Sequence, residues 1–193
     1  INIKIHYVVQ KGNSVKTKTN QRLLKLAIVS IVALGISGFR VHTFASPATS
    51  DMAVTANIAM SCSISTTDIS FGAYDAVGAH AAAPLVATGG VSSTCTTGAS
   101  GNIKISQGLN PHAGSNDNIP IRRLVAAGDA ASFLDYEVFS NSGRSVVWEN
   151  GTGVGYTGTG SAVPLTVYGS VAAGQTSAVS GSYSDTVTVS INY

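Results

Sequence analysis

The last eight residues of the chain alternate between apolar and polar side chains. The apolar positions are Val187, Val189, Ile191 and Tyr193, and Thr, Ser or Asn stands next to each of them. Successive side chains of a β-strand point to opposite faces, so this period of two predicts a half-buried strand. No further strand follows it in the sequence.

A second run with the same alternation lies near residue 50. Its apolar positions are Met52, Val54, Ala56, Ile58 and Met60. A sheet protein with one spare strand near its start and one unpaired strand at its end is expected to assemble by strand exchange.

Short alternating runs recur between these two segments, separated by Gly, Ser, Asn and Asp. No stretch after residue 46 has the apolar spacing of a helix of about 10–15 residues. The predicted strands are Ala53–Ser63, Ile69–Tyr74, Gly90–Cys95, Asn102–Gln107, Ile119–Val125, Phe133–Ser140, Val146–Trp148, Val163–Val171 and Ser184–Tyr193. Many short strands at this spacing predict an all-β sandwich.

Residues 151–160 alternate glycine with other residues, as some phosphate-binding loops do. No lysine lies within the segment and no helix pattern follows it, so a flexible hairpin loop is the preferred interpretation. The alanine-rich residues 79–83 and 126–131 are expected to form single helical turns at most.

The first 45 residues have the composition of a signal peptide. Basic residues precede an apolar stretch of about 14 residues, which suits a signal-peptide core and is short for a membrane span. Thr43-Phe44-Ala45 has small residues at the two positions that signal peptidase reads, which predicts cleavage after Ala45. An uncleaved membrane anchor is the alternative. Residues 46–193 are expected to form one domain.

Removal of the leader reverses the sign of the net charge. Of the 11 Lys and Arg residues, 7 lie at or before Arg40, whereas all 9 Asp and Glu residues lie at or after Asp51. Residues 46–193 therefore carry 4 basic and 9 acidic side chains, a net charge of −5. The basic charge of the whole chain is thus no argument for nucleic-acid binding.

The two cysteines, Cys62 and Cys95, both lie after the predicted leader. In an exported chain an even number of cysteines predicts a disulfide, here stabilising by roughly 3–4 kcal/mol through loop closure. The alternative is a catalytic thiol, which would need a partner histidine.

The remaining polar residues do not form a recognisable catalytic set. His80 and His112 are expected in exposed loops without a third metal ligand at a defined spacing. Asp135 and Glu137 share one face of a predicted strand, and that face is expected to be solvated. The sequence therefore predicts no enzyme, cofactor, metal site or small-molecule substrate.

Two further features are more easily explained by structure than by binding. Trp148 could stack on a sugar, but in a β-sandwich it is expected to be a core residue. The basic pair Arg122-Arg123 is expected at the surface, where it would serve solubility or an ion pair.

A set of short motifs runs in order along residues 61–189. The motifs are Ser61-Cys62-Ser63-Ile64-Ser65, Ile69-Ser70-Phe71-Gly72-Ala73-Tyr74-Asp75, Ser93-Thr94-Cys95-Thr96, Trp148 with Gly151-Thr152-Gly153, Leu165-Thr166-Val167-Tyr168-Gly169, Ala172-Ala173-Gly174-Gln175 and Tyr183-Ser184-Asp185-Thr186-Val187-Thr188-Val189. In this order they resemble the spore coat U domain family, which includes subunits of Csu-type (archaic) chaperone–usher pili. The chain departs from the family at Ala76 and at Val171-Ala172, where prolines are frequent, and these are local turn changes.

The resemblance implies an immunoglobulin-like β-sandwich that lacks its final strand and is completed by donor-strand exchange. Residues 46–57 would be the donor segment, and Met52, Val54 and Ala56 would enter the groove of a neighbouring subunit. The residues implied to contact a periplasmic chaperone are Val187, Val189, Ile191 and Tyr193. Basic residues of that chaperone would hold the terminal carboxylate.

The resemblance also implies the partners and the location. The partners would be a periplasmic pilus chaperone, an outer-membrane usher and other pilus subunits, and the location would be a cell-surface pilus reached through the periplasm. Such a fibre would support surface attachment and biofilm formation. The alternatives are an adhesin at the fibre tip and a secreted coat or matrix protein that folds alone.

Overall fold

Nine antiparallel β-strands and no helix are found in residues 45–193, the part of the chain that the computed structural model describes. The strands are β1 (Cys62–Thr67), β2 (Leu85–Cys95), β3 (Ser100–Ile105), β4 (Arg122–Ala126), β5 (Asp129–Phe139), β6 (Val154–Thr157), β7 (Ala162–Val171), β8 (Tyr183–Ser184) and β9 (Val189–Asn192). They form a six-stranded sheet in the order β1-β2-β7-β5-β4-β8 and a three-stranded sheet in the order β6-β3-β9. The expectation of an all-β sandwich is confirmed. The predicted signal peptide lies, apart from Ala45, outside the described residues.

The two sheets share one apolar core. Because side chains alternate along each strand, the long strands β2, β5 and β7 contribute one face each, and β3 contributes the facing side chains of the smaller sheet. The core residues are Val91, Ile103, Ile105, Leu134, Tyr136, Val138, Trp148, Val167 and Val171. Burial of an aliphatic or aromatic side chain of this size contributes roughly 1.5–3 kcal/mol.

Trp148 is a core residue, as the sequence predicts. It is 1% exposed, and its indole N–H donates a hydrogen bond to the carbonyl oxygen of Ile103 at 2.8 Å. The segment after β5 is thereby fixed to β3 of the other sheet.

The expectation of a surface Arg122-Arg123 pair is wrong for Arg122, which is fully buried. Its guanidinium donates hydrogen bonds to the carbonyl oxygens of Ser106 (2.9 Å), Ile105 (3.0 Å) and Trp148 (2.8 Å) and forms an ion pair with Glu137. Arg122 therefore supplies hydrogen-bond donors to the carbonyl oxygens at the end of β3, where no neighbouring strand of the described residues supplies them. Burial raises the pKa of Glu137, and the neighbouring Arg122 charge opposes that rise.

The predicted strand Ala53–Ser63 is wrong over most of its length. Residues 53–61 are irregular and exposed, and β1 begins only at Cys62. The reason is the lack of a partner, since Cys62 pairs with Cys95 and β2 ends there. An alternating pattern shows that a segment is amphipathic. To form a strand, the segment also needs a neighbouring strand with which to pair.

Other boundaries also differ from the prediction. Residues 69–74 are not in a strand, and residues 146–148 contribute a single bridge, between Val147 and Phe139. The predicted loop at 151–160 contains a strand, β6, paired with β3. Residues 79–83 form turns, and residues 126–131 form the tight β4–β5 hairpin instead of a helical turn.

We expect Glu137→Gln to lower the free energy of unfolding by about 3–5 kcal/mol, because it leaves the buried Arg122 guanidinium without a counter-charge. Chemical denaturation of the disulfide-bonded protein measures this difference. Asp135→Asn is the matched control: Asp135 is exposed two residues earlier on β5, so its effect should stay within about 0.5 kcal/mol. Equal effects of the two substitutions would contradict the assignment.

Candidate functional site

A groove of about 1150 Å³ opens between two segments that are mostly outside regular strands. One border is formed by residues 66–77 and the other by residues 176–189. The floor consists of core side chains that neither border covers completely. The apolar floor residues are Leu85, Val91, Ile105, Leu124, Leu134, Tyr136, Val138, Val167 and Val171.

The first border has unpaired backbone groups. After Thr67 the chain leaves β2, and residues 68–74 make no backbone-to-backbone hydrogen bond with any other described residue. Free backbone N–H and C=O groups beside a sheet are a template for an added strand.

Two glycines allow this border to lie on the inner face of the six-stranded sheet. A Cβ atom on Gly89 would come within 2.6 Å of both the Ile69 side chain and the Thr67 carbonyl oxygen. A Cβ atom on Gly169 would come within 2.8 Å of the Phe71 ring. A larger residue at either position would displace the border from the sheet.

The second border is the C-terminal segment. Its strand β9 is an edge strand that pairs only with β3. Val187 and Val189 line the groove, whereas Ile191 packs against the core and Tyr193 is 56% exposed. Of the four residues that the sequence suggests for the chaperone contact, the structure therefore brings two to the groove.

Tyr136 lies on the groove floor and contacts both borders. Its hydroxyl donates a hydrogen bond to Oδ2 of Asp185 at 2.7 Å. Its ring makes an edge-to-face contact with Phe71, with ring centroids 6.2 Å apart. Burial, reinforced by the hydrogen bond to the Asp185 carboxylate, raises the pKa of Tyr136 well above its usual value.

Tyr74 fixes the end of the first border. Its hydroxyl donates to the carbonyl oxygen of Ala172 at 2.7 Å and accepts from the N–H of Gln175 at 3.0 Å. Its ring stacks on His80 at 5.2 Å. These contacts tie the first border to the residues that follow β7.

Asp75 and His80 organise the loop beyond Tyr74. The His80 Nδ1 accepts the backbone N–H of Asp75 at 3.0 Å. Hydrogen bonds from the N–H groups of Ala79, Gly78 and Val77 hold the pKa of the Asp75 carboxyl below its usual value. The carboxylate and the imidazole therefore have local structural partners.

The apolar residues of the predicted donor segment are exposed. The exposed fraction is 85% for Met52, 88% for Val54 and 83% for Ile58, and Ala56 is exposed as well. The structure does not bring these residues to a site. Residues Ala53–Tyr193 form one compact unit, and the preceding residues 45–52 are irregular and exposed.

The chain becomes attached to the domain at Ala59–Cys62. The Thr96 hydroxyl contacts the Ala59 and Ser61 carbonyl oxygens at 3.5 and 3.3 Å, and the backbone N–H of Thr96 donates to Ser61 at 2.9 Å. Next to this attachment, Cys62 and Cys95 form a disulfide between β1 and β2. The predicted disulfide is thus present.

Residues 45–193 contain no group of three His, Cys, Asp or Glu side chains that could hold a metal ion. The same residues include no helix of the length and apolar character needed to cross a bilayer. Within the described residues, the groove is a cavity that could receive a ligand, and its floor is formed mainly by apolar side chains.

Comparison with known proteins identifies the family. Residues 48–190 match the Spore Coat Protein U domain. Protein U of Myxococcus xanthus is 35% identical over an alignment of 178 residues, and the match covers 88% of this chain and 98% of that protein. The chain belongs to the Spore Coat Protein U domain family, as the sequence motifs indicate.

Among solved structures, the chain is similar to a chain in the crystal structure of the CsuC-CsuE chaperone-tip adhesion subunit pre-assembly complex from the archaic chaperone-usher Csu pili of Acinetobacter baumannii. The TM-score is 0.47 and the sequence identity is 20%, over 70% of this chain and 40% of that chain. At this TM-score the similarity alone does not define a common fold.

We expect Gly89→Ala to lower the free energy of unfolding by roughly 1–3 kcal/mol, because the new methyl group would collide with the backbone of the first border. Thermal or chemical denaturation measures the loss. Gly90→Ala is the matched control, since its nearest contact would be an ordinary 3.7 Å. If both variants were equally stable, the close approach of residues 67–69 to β2 would be refuted.

Proposed function

We propose that this protein is a structural subunit of a chaperone–usher pilus and has no catalytic role. Each subunit donates residues 46–57 to the groove of a neighbour and receives the same segment from another neighbour. Because the donor and the groove are different surfaces, the contact is head-to-tail and generates an open filament. Such filaments at the cell surface would serve attachment and biofilm formation.

One observation carries this proposal: a single chain combines an apolar groove between unpaired backbone edges with an exposed segment of alternating apolar residues. The groove has unpaired backbone to which a strand could be added, and the exposed segment has no neighbouring strand among the described residues with which to pair. Strand addition would satisfy both, since main-chain hydrogen bonds supply affinity and alternate side chains fill pockets.

The donor segment and each groove border contain similar numbers of residues. The free residues before the attachment at Ala59 number about 13 from residue 46, which span roughly 43 Å when extended. The groove borders contain a similar number of residues, 66–77 and 176–189. Burial of Met52 and Val54 would contribute roughly 1.5–3 kcal/mol each, and backbone hydrogen bonds would add to this.

The partners follow from the same reasoning. An uncovered edge next to an apolar groove promotes aggregation, so the subunit needs a temporary cover during export. We assign that role to a periplasmic chaperone at Val187 and Val189, followed by exchange for the donor strand at an outer-membrane usher. The net charge of −5 on residues 46–193 keeps the exported chain soluble.

We expect Val54→Asp to abolish polymerisation, because the proposed position of Val54 is in an apolar groove, where an unpaired carboxylate is costly to bury. Thr55→Asp is the matched control, because Thr55 has the opposite parity and would face solvent in the inserted strand. Both positions are exposed in the isolated chain, so neither substitution should disturb the domain itself. Size-exclusion chromatography with light scattering measures the polymer distribution.

Polymers of Val54→Asp as long and as heat-stable as those of Thr55→Asp would contradict the proposal. If the wild-type chain and both variants were folded monomers in the absence of a chaperone, the alternative of a self-contained secreted coat protein would replace it. A wild-type chain that occurs only once, at the end of fibres built from another subunit, would indicate a tip adhesin.

A further inference from the structure

We propose that Tyr136 and Asp185 are the positioning residues of the groove: their hydrogen bond holds the C-terminal border at the separation and register that an incoming strand requires. This inference rests on the proposed function and names the two residues that would make the groove competent to accept a strand.

Asp185 lies where the C-terminal segment passes from one sheet to the other. Ser184 pairs with Val125 in the six-stranded sheet, and Val189 pairs with Ile105 in the three-stranded sheet. The residues between β8 and β9 have no strand partner among the described residues. One backbone hydrogen bond, from the Ser106 N–H to the Thr188 carbonyl oxygen at 2.9 Å, fixes the end of this stretch, and side-chain contacts fix the part that contains Asp185.

The Asp185 carboxylate supplies those contacts. Oδ1 accepts hydrogen bonds from the backbone N–H of Leu109 at 3.0 Å and from Nδ2 of Asn110 at 3.1 Å, while Oδ2 accepts from the Tyr136 hydroxyl. Hydrogen bonds to a charged acceptor are about twice as strong as neutral ones. Three donors from two separate parts of the chain converge on one carboxylate.

The loop that supplies two of these donors is shaped around the carboxylate. Gly108 has a φ of +83°, and a Cβ atom there would lie only 2.0 Å from Oδ2 of Asp185. The Arg123 guanidinium holds the same loop through the carbonyl oxygens of Asn110 (3.2 Å) and Pro111 (2.9 Å). The loop is thus held from both sides, which makes it a fixed support for the C-terminal border.

Tyr136 connects this support to the opposite border. The ring is 8% exposed on the groove floor and meets Phe71, while the hydroxyl meets Asp185. A continuous chain of contacts therefore crosses the groove from Asp185 to Phe71. A tyrosine is protonated at physiological pH even at its ordinary pKa of about 10, and burial and the carboxylate raise the pKa of Tyr136 further, so the phenol keeps donating.

Strand insertion is sensitive to this separation. Neighbouring strands lie about 4.7–4.9 Å apart, so a strand inserted between two borders needs both of them within a few tenths of an ångström of the correct place. Without the phenol–carboxylate bond, the stretch between β8 and β9 would sample positions from which it cannot pair. A bound strand would then lose its pairing with this border more often, which speeds its release.

The test measures release of a donor peptide. The full chain, processed and with Cys62–Cys95 oxidised, is unfolded in guanidinium and refolded by dilution with an excess of a fluorescent synthetic peptide of residues 46–58. A chase with unlabelled peptide then gives the dissociation rate. We expect Tyr136→Phe to speed dissociation about tenfold, which is the equivalent of one hydrogen bond to a charged group.

Tyr156→Phe is the matched control. It is the same chemical change on a tyrosine outside the groove lining, whose hydroxyl lies 3.4 Å from the Asn192 carbonyl oxygen. Its dissociation rate should stay within about twofold of the wild-type value.

A second arm tests whether Tyr136 and Asp185 act as one unit. Asp185→Asn should also speed release, because it weakens the bond from Tyr136 as well as those from Leu109 and Asn110. The double variant should release the peptide no more than about twofold faster than Asp185→Asn alone, because the Tyr136 bond is already weakened there. If Tyr136→Phe does not refold, release from Asp185→Asn at the wild-type rate would overturn the inference. Independent, multiplying effects would overturn the inference, since they would indicate unrelated losses of stability.

The outcomes separate this inference from the proposed function. If the wild-type chain captures no peptide, strand acceptance itself is wrong. If the wild-type chain captures the peptide and both Tyr136→Phe and Asp185→Asn release it at the wild-type rate, strand acceptance stands and the positioning role is refuted.

Discussion

Unpaired backbone at the two borders of the groove is the constraint on which the rest of the structure depends. Residues 68–74 and the free edge of β9 leave N–H and C=O groups without backbone partners beside an apolar floor. Burial of a polar group without a hydrogen bond costs about 1–3 kcal/mol of folding free energy. Such edges are therefore stable only when water hydrates them or when a strand pairs with them. Exposure of the apolar floor to water also costs free energy. Addition of a strand removes both costs at once.

The attachment at Ala59–Cys62 lies between the proposed donor segment and the domain. Thr96 binds the backbone of Ala59 and Ser61, and the Cys62–Cys95 disulfide joins the first residue of β1 to the last residue of β2. Residues before this point have no regular structure and expose their apolar side chains. The proposed boundary between the donor segment and the domain, which alternation alone places ambiguously, coincides with these covalent and hydrogen-bonded contacts.

The sequence predicts the fold well where a strand has two different faces and a partner on each side. This holds for β7, whose observed bounds agree with the prediction to within one residue, and for the end of β5, although β5 begins four residues earlier than predicted. It fails for residues 53–61, which alternate equally well but have no edge to join. A glycine inside a strand often indicates that another segment packs closely against it. Gly89 and Gly169 are such glycines, since Ile69 and Phe71 of the first border pack against them.

The polar contacts could not be predicted in the same way. Arg122 pairs with Glu137 across neighbouring strands, and Tyr136 meets Asp185 from 49 residues away. No periodic pattern connects such positions, because each contact depends on where β4, β5 and the crossing between β8 and β9 come together. The sequence offers only the residue types, and a lone Arg or Asp is by default a surface residue.

The most direct test of strand exchange is a cross-link from position 54 in assembled polymers. A photo-reactive benzophenone amino acid replaces Val54, and subunits labelled with ¹⁵N are mixed with unlabelled subunits before assembly and irradiation. We expect cross-linked peptide pairs in which one partner is labelled and the other is not, and which join position 54 to groove residues such as Phe71 or Val187. Cross-links confined to single chains, or cross-links between chains at sites outside the groove, would contradict strand exchange.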